Sequence, residues 1–71
     1  MITYQPLFEL LKKRNITKYQ LVNKTKLIGG ATFDKLKANA PINTNTIDKL
    51  CNLLDCQPGD IMEYLPHNSD N

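Results

Sequence analysis

The chain has 71 residues, of which 41% are hydrophobic and 23% charged, and a net charge of +2. That length holds one domain with one small core, burying roughly 60% of the surface an unfolded chain of this size exposes. No stretch approaches the ~20 consecutive apolar residues of a membrane span, and Met1-Ile2-Thr3-Tyr4 has neither the basic nor the apolar part of a secretory signal, so a soluble cytoplasmic protein without membrane contact is expected.

The first predicted helix runs over about residues 6–14. Pro6 suits a first helical position, where its missing N–H has no intrahelical partner to lose, and Leu7, Leu10 and Leu11 recur at helical spacing with Phe8 widening the stripe. Lys12-Lys13-Arg14 complement the negative end of the helix dipole, and Asn15 can take the left-handed conformation that closes the helix, with Ile16 folding back. A second helix opens at Thr17, whose hydroxyl can accept from the first turn; it carries Leu21 and Val22 and ends near Thr25.

A third helix starts at Gly29-Gly30 and places Phe33 and Leu36 inward. Two helices this short, joined by a few residues, cross steeply, which is the helix-turn-helix arrangement. Residues 38–41 form a loop by their Asn and Pro. Asn43 then caps a fourth helix, in which Ile47, Leu50, Cys51 and Leu54 stand at positions 0, 3, 4 and 7. Pro58 opens a short fifth helix expected to turn Ile61, Tyr64 and Leu65 inward before Pro66 stops it. Residues 1–66 are thus read as one domain, and residues 67–71 as a disordered polar tail. The expectation is an all-α, compact five-helix domain.

Charge is divided unevenly. Residues 1–37 hold eight Lys/Arg against Glu9 and Asp34, or +6; residues 38–71 hold Lys49 against five acids, or −4. The basic half is the half with the helix-turn-helix, as a phosphate-binding face requires. In this motif the outer face of the third helix enters the DNA major groove, which nominates Gly30, Ala31, Thr32 and Lys35 on a recognition helix of about residues 30–38. Lys35 can donate to guanine O6 and N7, and the methyls of Ala31 or Thr32 can pack on thymine. Lys37, Asn39, Asn43 and Thr44 are placed to meet phosphates, with Asn43 either a cap alone or a cap that also touches the backbone. The open Gly29-Gly30 start suits either close backbone approach to DNA or weak sequence reading.

From about Tyr4 to Pro66 the sequence resembles the lambda-repressor-like, Cro-type (XRE) helix-turn-helix regulators of bacteria and phages. The resemblance is most specific in Thr46-Ile47-Asp48-Lys49-Leu50-Cys51 and in Leu54-Asp55-Cys56-Gln57-Pro58-Gly59-Asp60-Ile61-Met62-Glu63-Tyr64. It implies a DNA-binding transcriptional regulator, a repressor acting as a dimer on a two-fold operator, with Lys18 on a phosphate and Tyr19 beside it. The chain departs from the family pattern at Val22, where a small residue is usual, and at Lys26, where the turn usually has Gly. One residue more than usual stands between Thr25 and Phe33, and Gly29-Gly30 are expected to supply the backbone freedom that Lys26 lacks.

Cys51 and Cys56 are read as reduced, structural thiols. With His67 they make only three potential ligands, short of a structural zinc site. No Ser/His/Asp grouping or phosphate-cradling glycine loop is present, so no cofactor, metal or catalysis is expected. The partner expected is double-stranded DNA, with a homodimer contact through the C-terminal helix at Met62 and Tyr64. The competing function is a protein-interaction module of antirepressor or antitoxin-like type on the same scaffold.

Overall fold

The computed structural model describes residues 1–24, 26 and 28–66, without the side chain of Lys24. The order is β1 (Ile2–Thr3), α1 (Gln5–Lys13), a π-helical turn (Gln20–Lys24), α2 (Gly30–Lys37), α3 (Thr44–Leu54), a 3-10 turn (Pro58–Asp60) and β2 (Glu63–Tyr64). The fold is mostly helical, with one small antiparallel sheet pairing Ile2 with Tyr64 and Thr3 with Glu63.

Each helix buries the stripe its spacing announces. Leu7 and Leu11 of α1, Phe33 and Leu36 of α2, and Ile47, Leu50 and Leu54 of α3 meet in one core with Tyr4, Leu21, Ile28 and Ile61. Cys51 and Val22 pack half-buried against it. Two of the helix starts, at Thr17 and at Asn43, are built from side-chain oxygens. The Thr17 hydroxyl accepts from the Gln20 N–H at 3.1 Å, while the Gln20 side chain accepts from the Thr17 N–H at 3.0 Å, a reciprocal box that satisfies two otherwise orphan donors. At α3 the Asn43 side chain accepts from the Asn45 N–H at 2.7 Å.

The helix ends share one device. Asn15, Asn39 and Asp55 have φ of 59°, 57° and 51°. Beyond them Ile16 donates to the Leu11 carbonyl at 2.8 Å, Ala40 to Lys35 at 2.9 Å and Cys56 to Cys51 at 3.1 Å. These are the six-to-one bonds of the Schellman closure, with Asn or Asp in the left-handed position instead of Gly. Lys26 also has positive φ, 55°, and no glycine does. The expected compensation by Gly29-Gly30 is therefore corrected: Lys26 itself takes the conformation that favours glycine, against a steric cost of roughly 1–2 kcal/mol.

Two further expectations need correction. The fifth helix is reduced to the 3-10 turn, entered at Pro58 as anticipated, and Ile61 is buried, but Tyr64 is 64% exposed and Leu65 also faces outward. Glu63–Tyr64 finds its backbone partners in β1, and Pro66 disfavours helical geometry at Leu65, so the chain stays extended. Two-residue strands are too short to leave an alternating pattern in sequence. The second helix is α-helical only at Lys18 and Tyr19 before widening into the π-turn; its expected end at Thr25, like the tail 67–71, lies outside the described residues.

Leu50 is almost wholly enclosed at the centre of α3. Leu50→Ala is expected to lower the unfolding free energy by roughly 2–5 kcal/mol; an unchanged midpoint in a denaturant titration would refute its place in the core.

Candidate nucleic-acid interface

The outward face of α2 follows from its inward one. With Phe33 and Leu36 buried, Ala31, Asp34, Lys35 and Ala38 stand exposed at positions 0, 3, 4 and 7 of the opposite side. Gly30 and Thr32 flank this stripe half-buried, and Lys37 and Asn39 are exposed near the helix end. Asp34 belongs to the same stripe as Ala31 and Lys35, since the spacing that nominates Lys35 nominates it too.

The preceding helical turn is tied to this face through Lys18. Lys18 Nζ lies 3.6 Å from Asp34 Oδ1 and 5.2 Å from the centre of the Phe33 ring. Phe33 meets Phe8 of α1 edge-on, with ring centres 5.5 Å apart. An aromatic contact, a cation over a ring and an ion pair thus run in series from α1 to the surface of α2. Tyr19, beside Lys18, is 65% exposed.

The remaining candidates divide by what their side chains already do. Asn39 Oδ1 accepts from the Tyr4 N–H at 2.9 Å and from the Thr3 hydroxyl at 3.4 Å, so its oxygen serves the start of α1. Lys37 and Asn39 border a hollow that also takes in Lys12, a basic residue of α1 that sequence reasoning left out of the interface. The Asn43 oxygen is engaged as the α3 cap, and Thr44 is exposed at the first position of that helix.

Gly29 and Gly30 have negative φ, and a Cβ at either would meet no atom within 4 Å. The isolated fold therefore requires neither glycine. Both thiols are free; they occupy the two positions of the Schellman closure that touch each other. Burial first, then the neighbouring Cys51, pushes the Cys56 thiol pKa above its ordinary value. Among the described residues no group of three or more His, Cys, Asp or Glu is disposed to hold a metal ion, and no helix is long and apolar enough to cross a membrane.

Residues 7–67 match the model of the Cro/C1-type HTH DNA-binding domain. The chain belongs to the Cro/C1-type helix-turn-helix DNA-binding domains. Among solved structures it is similar to the transcriptional regulator VanUg, with 32% sequence identity, a TM-score of 0.82, and coverage of 93% of this chain and 87% of that one. No curated protein matches.

Because its Cβ would stand in open space, Gly30→Ala is expected to stabilise the isolated protein by about 0.4–1 kcal/mol, through lost freedom of the unfolded chain. A lower melting temperature for the variant would show that the fold needs this glycine.

Proposed function

We propose that this Cro/C1-type domain is a sequence-specific transcriptional repressor that lays α2 in the major groove and acts by occupying its operator. The observation that carries the reading is the exposed stripe of α2, set opposite buried Phe33 and Leu36 in the basic half of the chain. Lys35 reads a guanine edge, and Ala31 and Thr32 offer methyl contacts to thymine. Gly30 lets the groove wall approach the helix backbone. Lys18, Tyr19, Lys37, Asn39, Asn43 and Thr44 meet the sugar–phosphate chain, which fixes register without reading sequence. The exposed Lys18–Asp34 pair leaves the ammonium accessible, since such pairs contribute only about 0–1 kcal/mol. No cofactor and no catalytic step enter this reading.

The test compares two lysines on operator and random duplexes across a salt series. Lys37→Ala is expected to weaken binding to both alike and to lower the slope of log K against log salt by about 0.9, the share of one phosphate. Lys35→Ala is expected to cost about 1–3 kcal/mol on the operator and much less on random DNA. Gly30→Ala, though more stable, is expected to bind the operator at least tenfold more weakly, roughly 1.4 kcal/mol. Equal losses on both duplexes for Lys35→Ala would remove it from base reading. Absence of salt-dependent binding in the wild type would replace the regulator reading with the protein-interaction one.

The protein is further proposed to act as a homodimer, matching a two-fold operator. The contact expected on a C-terminal helix is here assigned to the β1–β2 ribbon, because Met62 is half-buried against the core while Met1, Ile2, Tyr64 and Leu65 are exposed together. Sedimentation at increasing concentration should give a dimer for the wild type and a monomer for Tyr64→Glu with unchanged helicity. A monomeric wild type at concentrations that saturate the operator would overturn this assignment.

A further inference from the structure

The α2 stripe carries one residue that attraction to phosphates does not explain. Asp34 is the only acid on the helix, and its side chain is 69% exposed. A carboxylate on a face that approaches a polyanion raises the free energy of every complex unless it meets a donor there. Fold stability does not account for it either. The ion pair with Lys18 is exposed on both sides, at 55% and 69%, and water screens most of its attraction.

What the pair does provide is placement and charge balance. Lys18 sits over the ring of Phe33, which is buried and set edge-on to Phe8. The cation beside Oδ1 thus rests on the core, and the net charge of the pair is zero where a lone carboxylate would face the phosphates. The carboxylate keeps lone pairs for a further donor.

An ionised carboxylate only accepts hydrogen bonds. In the major groove guanine and thymine present acceptors, and adenine sets its N6 amine beside the N7 acceptor, which repels a carboxylate. Cytosine alone presents an amine, N4, as its single hydrogen-bonding group. We propose that Asp34 is a specificity-determining residue of the recognition helix, selecting cytosine at one operator position through the N4 amine. The proposal rests on the reading of α2 as the recognition helix, and it adds to Lys35 a neighbour that reads the opposite kind of base edge.

The experiment selects binding sites from a random duplex pool with the wild type and with Asp34→Asn, both checked for equal melting temperature. Asn keeps the shape but adds a donor, which suits adenine N6 and N7. The wild-type pool is expected to converge on a motif with one cytosine that the variant pool replaces by adenine. On the wild-type motif, changing that C·G pair to T·A should weaken the wild type roughly 5- to 150-fold, corresponding to about 1–3 kcal/mol, and Asp34→Asn much less. Identical motifs from the two proteins, or a uniform gain of affinity for all sequences in the variant, would overturn the proposal and leave Asp34 as a repulsive charge only. Absence of salt-dependent binding by either protein would overturn the recognition-helix reading together with it.

Discussion

Much of the architecture hangs on Asn39, because one residue serves two helices at once, α2 through its backbone and α1 through its side chain. Its backbone takes the left-handed turn that ends α2, and its Oδ1 receives the Tyr4 N–H and the Thr3 hydroxyl at the start of α1. Thr3 in turn pairs with Glu63 in the ribbon, so the end of α2, the start of α1 and the strand β2 share one polar junction. A glycine would satisfy the backbone at that point, and an aspartate or asparagine is needed to supply the acceptor as well. The orientation of α2 relative to α1 is therefore set from its end by Asn39 and from its middle by Phe33 against Phe8.

The use of Asn15, Asn39 and Asp55 in place of glycine at three helix ends has a common logic. Asn and Asp tolerate the left-handed region better than other side chains, and they leave the unfolded chain with less freedom to lose than glycine would. Lys26 does not have the first advantage. Its strain falls in the turn between the two helical segments of the helix-turn-helix, and it coincides with the widening of the preceding helix over Gln20–Lys24. Irregularities of both kinds concentrate at functional sites.

The long apolar periodicities were fully legible in the sequence. The Ile47–Leu50–Leu54 stripe, the Thr17 and Asn43 caps, the closure at Asn15 and the Pro58 entry are each governed by residues within one or two turns, so local rules suffice. What local rules could not give was whatever depends on a distant partner. The strand at Glu63–Tyr64 exists because residues 2 and 3 lie beside it. The inward role of the Asn39 oxygen depends on a backbone amide 35 positions away. Asp34 is legible by spacing as part of the outer stripe, yet a carboxylate lacks the positive charge or methyl group that marks a DNA-facing residue in sequence, and its link to Lys18 depends on the second helical segment lying across α2.

The ribbon has a consequence for the order in which the molecule assembles. The Met1 amine donates to the Leu65 carbonyl at 2.6 Å across 64 positions of chain, so forming the ribbon in an otherwise unfolded chain would close a loop at an entropic cost that includes roughly 3–4 kcal/mol from length alone. A few strand hydrogen bonds, each contributing about 0.5–1.5 kcal/mol net, do not offset that together with the ordering of the strands themselves. The ribbon is consequently a late element, formed after the three helices have collapsed and brought the chain ends together. Its exposed apolar residues Met1, Ile2, Tyr64 and Leu65 are then brought near one another only in the finished fold. An apolar surface assembled from segments more than sixty positions apart is therefore absent until the helices have packed.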